Sequence, residues 1–99
     1  MILFSPEAEA QIDGLLEHYE RLDRIEATGN LITALDAAAR RLEHASGAGL
    51  AAPRPYPALA ALGLRWIKEG PYWIAYDDTG RSLVIVGVYH ETADIPNRV

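Results

Sequence analysis

Six side chains between residues 65 and 99 have the types needed to act on a phosphodiester: Arg65, Lys68, Arg81, Tyr89, His90 and Arg98. Cleavage of RNA through attack of its own 2′-hydroxyl requires a base, an acid and positive charge at the phosphate. His90 titrates in the useful range if its surroundings leave it unperturbed, and Arg65 or Arg81 offers a planar cation to a phosphate. Tyr89 adds a second group that can carry a proton. The same stretch holds Glu69, Asp77, Asp78, Glu91 and Asp94, whose charge opposes that chemistry. A lone histidine closing an apolar strand is more often a polar strand end than a catalyst.

Other chemistries find less support. There is no cysteine, so disulfides and thiolate metal sites are excluded. His18 and His44 lie on helical patterns without ligand partners at metal spacing. No metal and no organic cofactor is expected. The formal net charge is −5, unevenly placed: residues 1–44 hold nine acids and four arginines, and residues 45–99 hold five of each sign. A protein that grips nucleic acid by its phosphates normally shows a positive face. Direct nucleic-acid binding is therefore not expected, although an arginine cluster assembled by the fold stays open. No segment approaches the roughly 20 apolar residues of a membrane span. The N-terminus shows no basic stretch leading into an apolar one. The expectation is a cytoplasmic protein of one domain, residues 1–99, with a core modest enough that a partner matters to its stability.

The elements that must position these groups are legible from periodicity. Ile2-Leu3-Phe4 reads as a short strand that must join a sheet to be stable. Ser5-Pro6-Glu7 reads as a helix start, with a capping hydroxyl, a proline at the first position and acids at the positive end of the dipole. Ala8, Ile12, Leu15, Leu16, Tyr19 and Leu22 recur at helical spacing. Thr28-Gly29-Asn30 interrupts the pattern, and a second stripe follows through Leu31, Leu35, Ala38, Ala39 and Leu42. These stripes predict a helical hairpin packed on a sheet. Residues 47–61 contain Pro53, Pro55 and Pro57, which predict an extended loop with no helix.

Three strand patterns follow: Leu64–Lys68, Tyr72–Tyr76 and Ser82–His90, separated by turns at Glu69-Gly70-Pro71 and Asp77-Asp78-Thr79-Gly80. Tyr72, Ile74 and Tyr76 should share the face beneath the helices, opposite Trp73 and Ala75. In the last strand Leu83, Ile85 and Gly87 alternate with Val84, Val86 and Val88. Apolar on both faces, that strand suits a central place. The fold class is α+β: an N-terminal strand, a helical hairpin, and a three-stranded antiparallel meander, giving a four-stranded antiparallel sheet. Arg65 alternates with Trp66, so a buried Trp66 would present Arg65 outward.

Several phrases of this chain resemble the RelE/ParE superfamily of small bacterial toxins. Ser5-Pro6-Glu7-Ala8 is similar to the family's opening, where a strand meets an alanine-rich first helix. Leu64-Arg65 and then Gly70-Pro71-Tyr72-Trp73-Ile74-Ala75-Tyr76 resemble its arginine strand and the strand after it. Val84–His90 resembles its closing strand, and Asp94-Ile95 the polar continuation. The resemblance implies the toxin of a type II toxin–antitoxin pair, neutralised as a hetero-oligomer by a small antitoxin whose segment folds on binding. ParE-like members act on DNA gyrase. RelE-like members are ribosome-dependent messenger RNA endonucleases.

The acidic balance favours the ParE-like branch, with a ParD-like antitoxin, plasmid stabilisation as the setting and no catalytic residues. Arg65, Trp66, Trp73, His90, Asp94 and Arg98 are then the expected antitoxin- or target-binding residues. The alternative, RelE-like branch would draw on Arg65, Arg81, Tyr89 and His90.

Overall fold

The computed structural model describes residues 2–99. Strand β1 (Ile2–Phe4) leads into helix α1 (Pro6–Arg21) and helix α2 (Ile25–Ala45). Strands β2 (Arg65–Glu69), β3 (Tyr72–Asp77) and β4 (Leu83–His90) follow, and a single helical turn, α3 (Ile95–Arg98), comes last. The start of α1 is built as its residues dictate. The Ala8 amide donates to Ser5 Oγ at 3.1 Å, and Pro6 occupies the first turn, where no amide is needed.

The hairpin turns earlier than the sequence pattern predicts. α1 stops at Arg21, and Asp23 takes a left-handed conformation (φ 54°), which a short polar side chain tolerates better than most. Thr28-Gly29-Asn30 lies inside α2 instead of breaking the helix. A helical glycine costs about 1 kcal/mol relative to alanine, and the buried stripe Leu31, Ala34, Ala38 and Leu42 outweighs it. The proline-rich segment also differs from expectation. Pro57–Leu62 forms a 3₁₀ helix because a proline is acceptable at the first helical position, and Gly63 ends it in the left-handed region (φ 70°).

The sheet order is β1-β4-β3-β2, which makes β4 and β3 the interior strands. The meander is antiparallel, but β1 pairs parallel to β4 (Ile2 with Leu83, Phe4 with Ile85), so the sheet is mixed and not antiparallel throughout. The path of the helices explains this. α1 carries the chain onward from β1 toward the His90 end, where Tyr19 meets Tyr72. α2 returns it to the Tyr76 end, where the Tyr76 hydroxyl donates to the Ser46 carbonyl. Three strands, an odd number, then leave β4 running the same way as β1.

Both faces of the sheet are covered. Beneath the helices, Ala8, Tyr19, Leu31 and Leu42 pack on Ile67, Tyr72, Ile74, Tyr76, Ile85 and Val88. The other face holds Trp66, Trp73, Ala75, Tyr89 and Ile95, closed over by Tyr56, Leu59 and Leu64 of the segment before β2. A bulge between these faces sets the phase of β4. Ala75 pairs with Gly87 while Tyr76 pairs with Ile85, so Val86 is an extra residue. Ile85 and Val88 therefore both face the helices, and Val86 and Tyr89 both face away. Strict alternation would have placed Ile85 with Gly87 and Val86 with Val88.

Candidate functional site

β1 covers only the first half of the free edge of β4. Beyond Ile85 that edge runs alongside α1 from Gln11 onward, and a groove of about 960 Å³ opens between them. Gln11 spans its inner end. Its side-chain oxygen accepts the Val88 amide at 2.8 Å, and its nitrogen donates to the Tyr89 hydroxyl at 3.2 Å. Gln11 thus supplies the hydrogen bond that a longer β1 would have made. Gly87 allows the Tyr89 ring to lie close: a Cβ there would sit 2.5 Å from Tyr89 Cε2.

The wall of the groove holds a polar aromatic chain. The Tyr19 and Tyr72 hydroxyls are 2.7 Å apart and buried. Burial, reinforced by the bond to Tyr19, pushes the Tyr72 hydroxyl well above the ordinary phenol range. The His90 ring stands edge-on to Tyr72, with centroids 5.4 Å apart, and its Nδ1 lies 2.8 Å from Thr92 Oγ1. Around this wall stand Arg21 and Arg24 from the α1–α2 turn, Arg98 from α3, and His18.

The residues singled out from sequence are divided by the fold. Tyr89 and His90 close β4 at the groove end. Arg65 opens β2 opposite Tyr76, at the far end of β3. Four strand steps, about 13 Å, separate those ends. Arg65 is exposed, as a buried Trp66 requires, and its Nε lies 3.0 Å from Asp78 Oδ2. Arg81 is exposed in the β3–β4 turn at that same far end. The structure therefore does not gather Arg65, Arg81, Tyr89 and His90 around one phosphate. Tyr89 is also 5% exposed, with its hydroxyl already engaged by Gln11.

Trp66 and Trp73 are 0% and 5% exposed, so neither is a surface anchor. They lie under Ile95 and the 3₁₀ segment, and a partner would have to displace that cover to reach them. The Trp66 indole nitrogen has no hydrogen-bond partner among the described residues. Asp94 is exposed and holds the Asn97 amide, and Arg98 stands at the groove. Lys68 pairs with Glu91 at 2.6 Å, a contact that holds the Glu91 carboxyl below its usual range. Among the described residues, no cluster of side chains could hold a metal ion, and no helix is long and apolar enough to cross a membrane.

The sequence reading missed Gln11, His18, Arg21 and Arg24 as groove residues. The only signal it contained was that an arginine cluster could be assembled by the fold.

A family model described as "ParE toxin of type II toxin-antitoxin system, parDE" matches residues 2–95. Among solved structures, "Chromosomal ParDE TA system from P. aeruginosa" is similar, with a TM-score of 0.66 at 18% identity. The match covers 90% of this chain and 92% of that one, and at this identity it shows a shared fold. No curated protein matches the chain.

Proposed function

The chain belongs to the family of ParE toxins of type II toxin–antitoxin systems, and on that premise we propose that it arrests growth by binding DNA gyrase, without cleaving nucleic acid. Its partner is an antitoxin. In this reading a ParD-like antitoxin neutralises it as a hetero-oligomer, through a segment that orders on the toxin surface. One observation carries the binding reading over the nuclease one. The acid–base candidates and the sheet arginines stand at opposite ends of β3, and Tyr89 is buried and hydrogen-bonded. The acidic balance of the chain, −5 overall, supports the same reading.

The test is expression without antitoxin, reading growth, plasmid supercoiling and messenger RNA integrity together. His90→Ala should leave most of the toxicity, because it removes no essential proton carrier. Arg65→Ala should lower toxicity, because it alters an outward contact surface. Its ion pair with Asp78 is partly exposed and worth about 1 kcal/mol or less, so the fold should survive the change. Removing residues 91–99 is a poorer probe than the sequence suggests, since it takes fully buried Ile95 out of the second core. Unchanged supercoiling with messenger RNA cleavage abolished by His90→Ala would refute the gyrase reading. His90 would then work with the groove arginines as a ribosome-dependent, RelE-like endonuclease.

A further inference from the structure

The nine lysines and arginines fall into two groups. Arg40, Arg41, Arg65 and Lys68 are paired with Asp36, Glu69, Asp78 and Glu91. Among the described residues, Arg21, Arg24, Arg54, Arg81 and Arg98 make no ion pair. Three of these five, Arg21, Arg24 and Arg98, line the groove beside β4, where His18, His90 and Asn30 add ring and amide nitrogens. The Arg24 charge also acts on the groove wall, where it opposes the rise in the Tyr72 hydroxyl pKa.

The acids nearby do not cancel this charge. Glu26 is the one acidic side chain among the described lining residues. Glu91 is held by Lys68 at 2.6 Å, and Asp94 holds the Asn97 amide. Glu17 and Glu20 stand exposed on α1 outside the lining, beside His18 and Arg21. The groove is thus a positive concavity on a chain of net charge −5. An anion inside it meets the arginines at short range, whereas a long polyanion continuing past the rim runs against the acidic face of α1. Screening over about 8 Å at physiological ionic strength leaves that repulsion in force at the rim. Tyr72 and Tyr89 are buried, so little ring surface is left for a stacked base. The lining suits a compact ligand recognised by its oxyanions.

We infer that this groove is a binding site for a small polyphosphate, a ligand of two or more linked phosphates, held between Arg21 and Arg24 of the α1–α2 turn and Arg98 of α3. Its volume of about 960 Å³ lies in the range of small-molecule sites, roughly 300–1,000 Å³. Arginine forks match phosphate oxygens in pairs through charge-assisted hydrogen bonds. Linked phosphates carry several charges in a small volume, which answers three cations set against one acid. A single phosphate engages the arginines of one element, whereas linked phosphates bridge the hairpin turn to α3. Binding therefore ties α3 to the helices and stabilises the fold. A free polyphosphate and the polyphosphate end of a nucleotide share this chemistry.

The test is calorimetric titration of the purified full chain with tripolyphosphate, ATP, adenosine and a single-stranded oligoribonucleotide, without divalent cations, at low and moderate salt. Two double variants remove the same charge: Arg21→Ala with Arg24→Ala in the groove, and Arg54→Ala with Arg81→Ala outside it. All four arginines are exposed, and thermal melts check that both variants fold. Tripolyphosphate should bind the unaltered chain and raise its melting temperature, with affinity falling as salt rises. The groove variant should bind it at least about tenfold more weakly, and the outer variant within about twofold of the unaltered chain. Arg98→Ala, on a different element, should weaken binding as well, which keeps a test in hand if the groove variant does not fold.

ATP binding within about threefold of tripolyphosphate, with no binding of adenosine, marks a site for the phosphates alone. ATP more than about tenfold tighter keeps the site and makes a nucleotide the source. No binding of tripolyphosphate or ATP by the unaltered chain overturns the inference. Equal weakening by the two double variants assigns binding to net charge and overturns it as well. An oligoribonucleotide that binds more tightly than either, and loses that affinity in the groove variant, makes the groove a nucleic-acid site and overturns it too.

Discussion

The paired hydroxyls of Tyr19 and Tyr72 give a prediction whose size follows from their geometry. They are 2.7 Å apart, on rings only 7% and 2% exposed. Tyr72→Phe keeps the ring and its packing but leaves the Tyr19 hydroxyl without its partner. A buried hydroxyl left unpaired costs about 1–3 kcal/mol, so each single phenylalanine variant should lose roughly 2 kcal/mol. For a domain of this size that lowers the melting temperature by roughly 8–16 °C. Removing both hydroxyls leaves nothing unpaired, so the double variant should lose far less than the sum of the two, with a coupling energy of about 1–2 kcal/mol.

The pH dependence of Tyr72 has a definite sign. Its folded pKa is raised by burial and then by the bond to Tyr19. The unfolded chain therefore releases this proton first, from about pH 10 upward. The contribution is fully present below that pH and declines as pH rises, by up to about 1.4 kcal/mol per pH unit. Tyr72→Phe should lack that decline, although Tyr76, raised by its own burial, keeps a share of it in both proteins. The assay is urea unfolding of the four proteins of the cycle at neutral pH and above pH 10. Single variants each within about 0.5 kcal/mol of the unaltered protein, with an additive double variant, would refute the reasoning. Groove water would then satisfy these hydroxyls.

Gly87→Ala should cost about 1–3 kcal/mol by overpacking, because its Cβ would fall 2.5 Å from the Tyr89 ring that Gln11 and Trp66 hold in place. Chemical denaturation measures this loss, and it should largely disappear in a Tyr89→Ala background. Ile95→Ala should cost about 2–5 kcal/mol, since this side chain is fully buried against the second face of the sheet. Equilibrium unfolding measures that loss, and tryptophan emission should shift to the red as Trp66 and Trp73 lose their cover.

The elements were legible because their determinants are local. Ser5-Pro6-Glu7 carries its own cap, the α1 and α2 stripes repeat at helical spacing, and turn residues separate the three meander strands. Alternation also placed Tyr72, Ile74 and Tyr76 beneath the helices and Arg65 outward from Trp66. The family was legible from the order of these elements and a few phrases of sequence. Local pattern failed where a small cost was outweighed from a distance. Gly29 looked like a break because its propensity is poor, but Leu31, Ala34 and Ala38 hold α2 against the sheet. The extra residue at Val86 shifts β4 by one step, and a run of valines carries no mark of it.

Periodicity and capping act over a few residues at a time, which is why the main helices and strands, most of the core and the family could be read from the chain. The parallel seat of β1 and the burial of both tryptophans under the proline-rich segment and Ile95 come from the assembled fold. The fold also separates Arg65 and Arg81 from His90 and brings Arg21, Arg24 and Arg98 to one groove. Each of these depends on which end of the sheet a residue reaches, and that is set by the direction of every helix and strand before it.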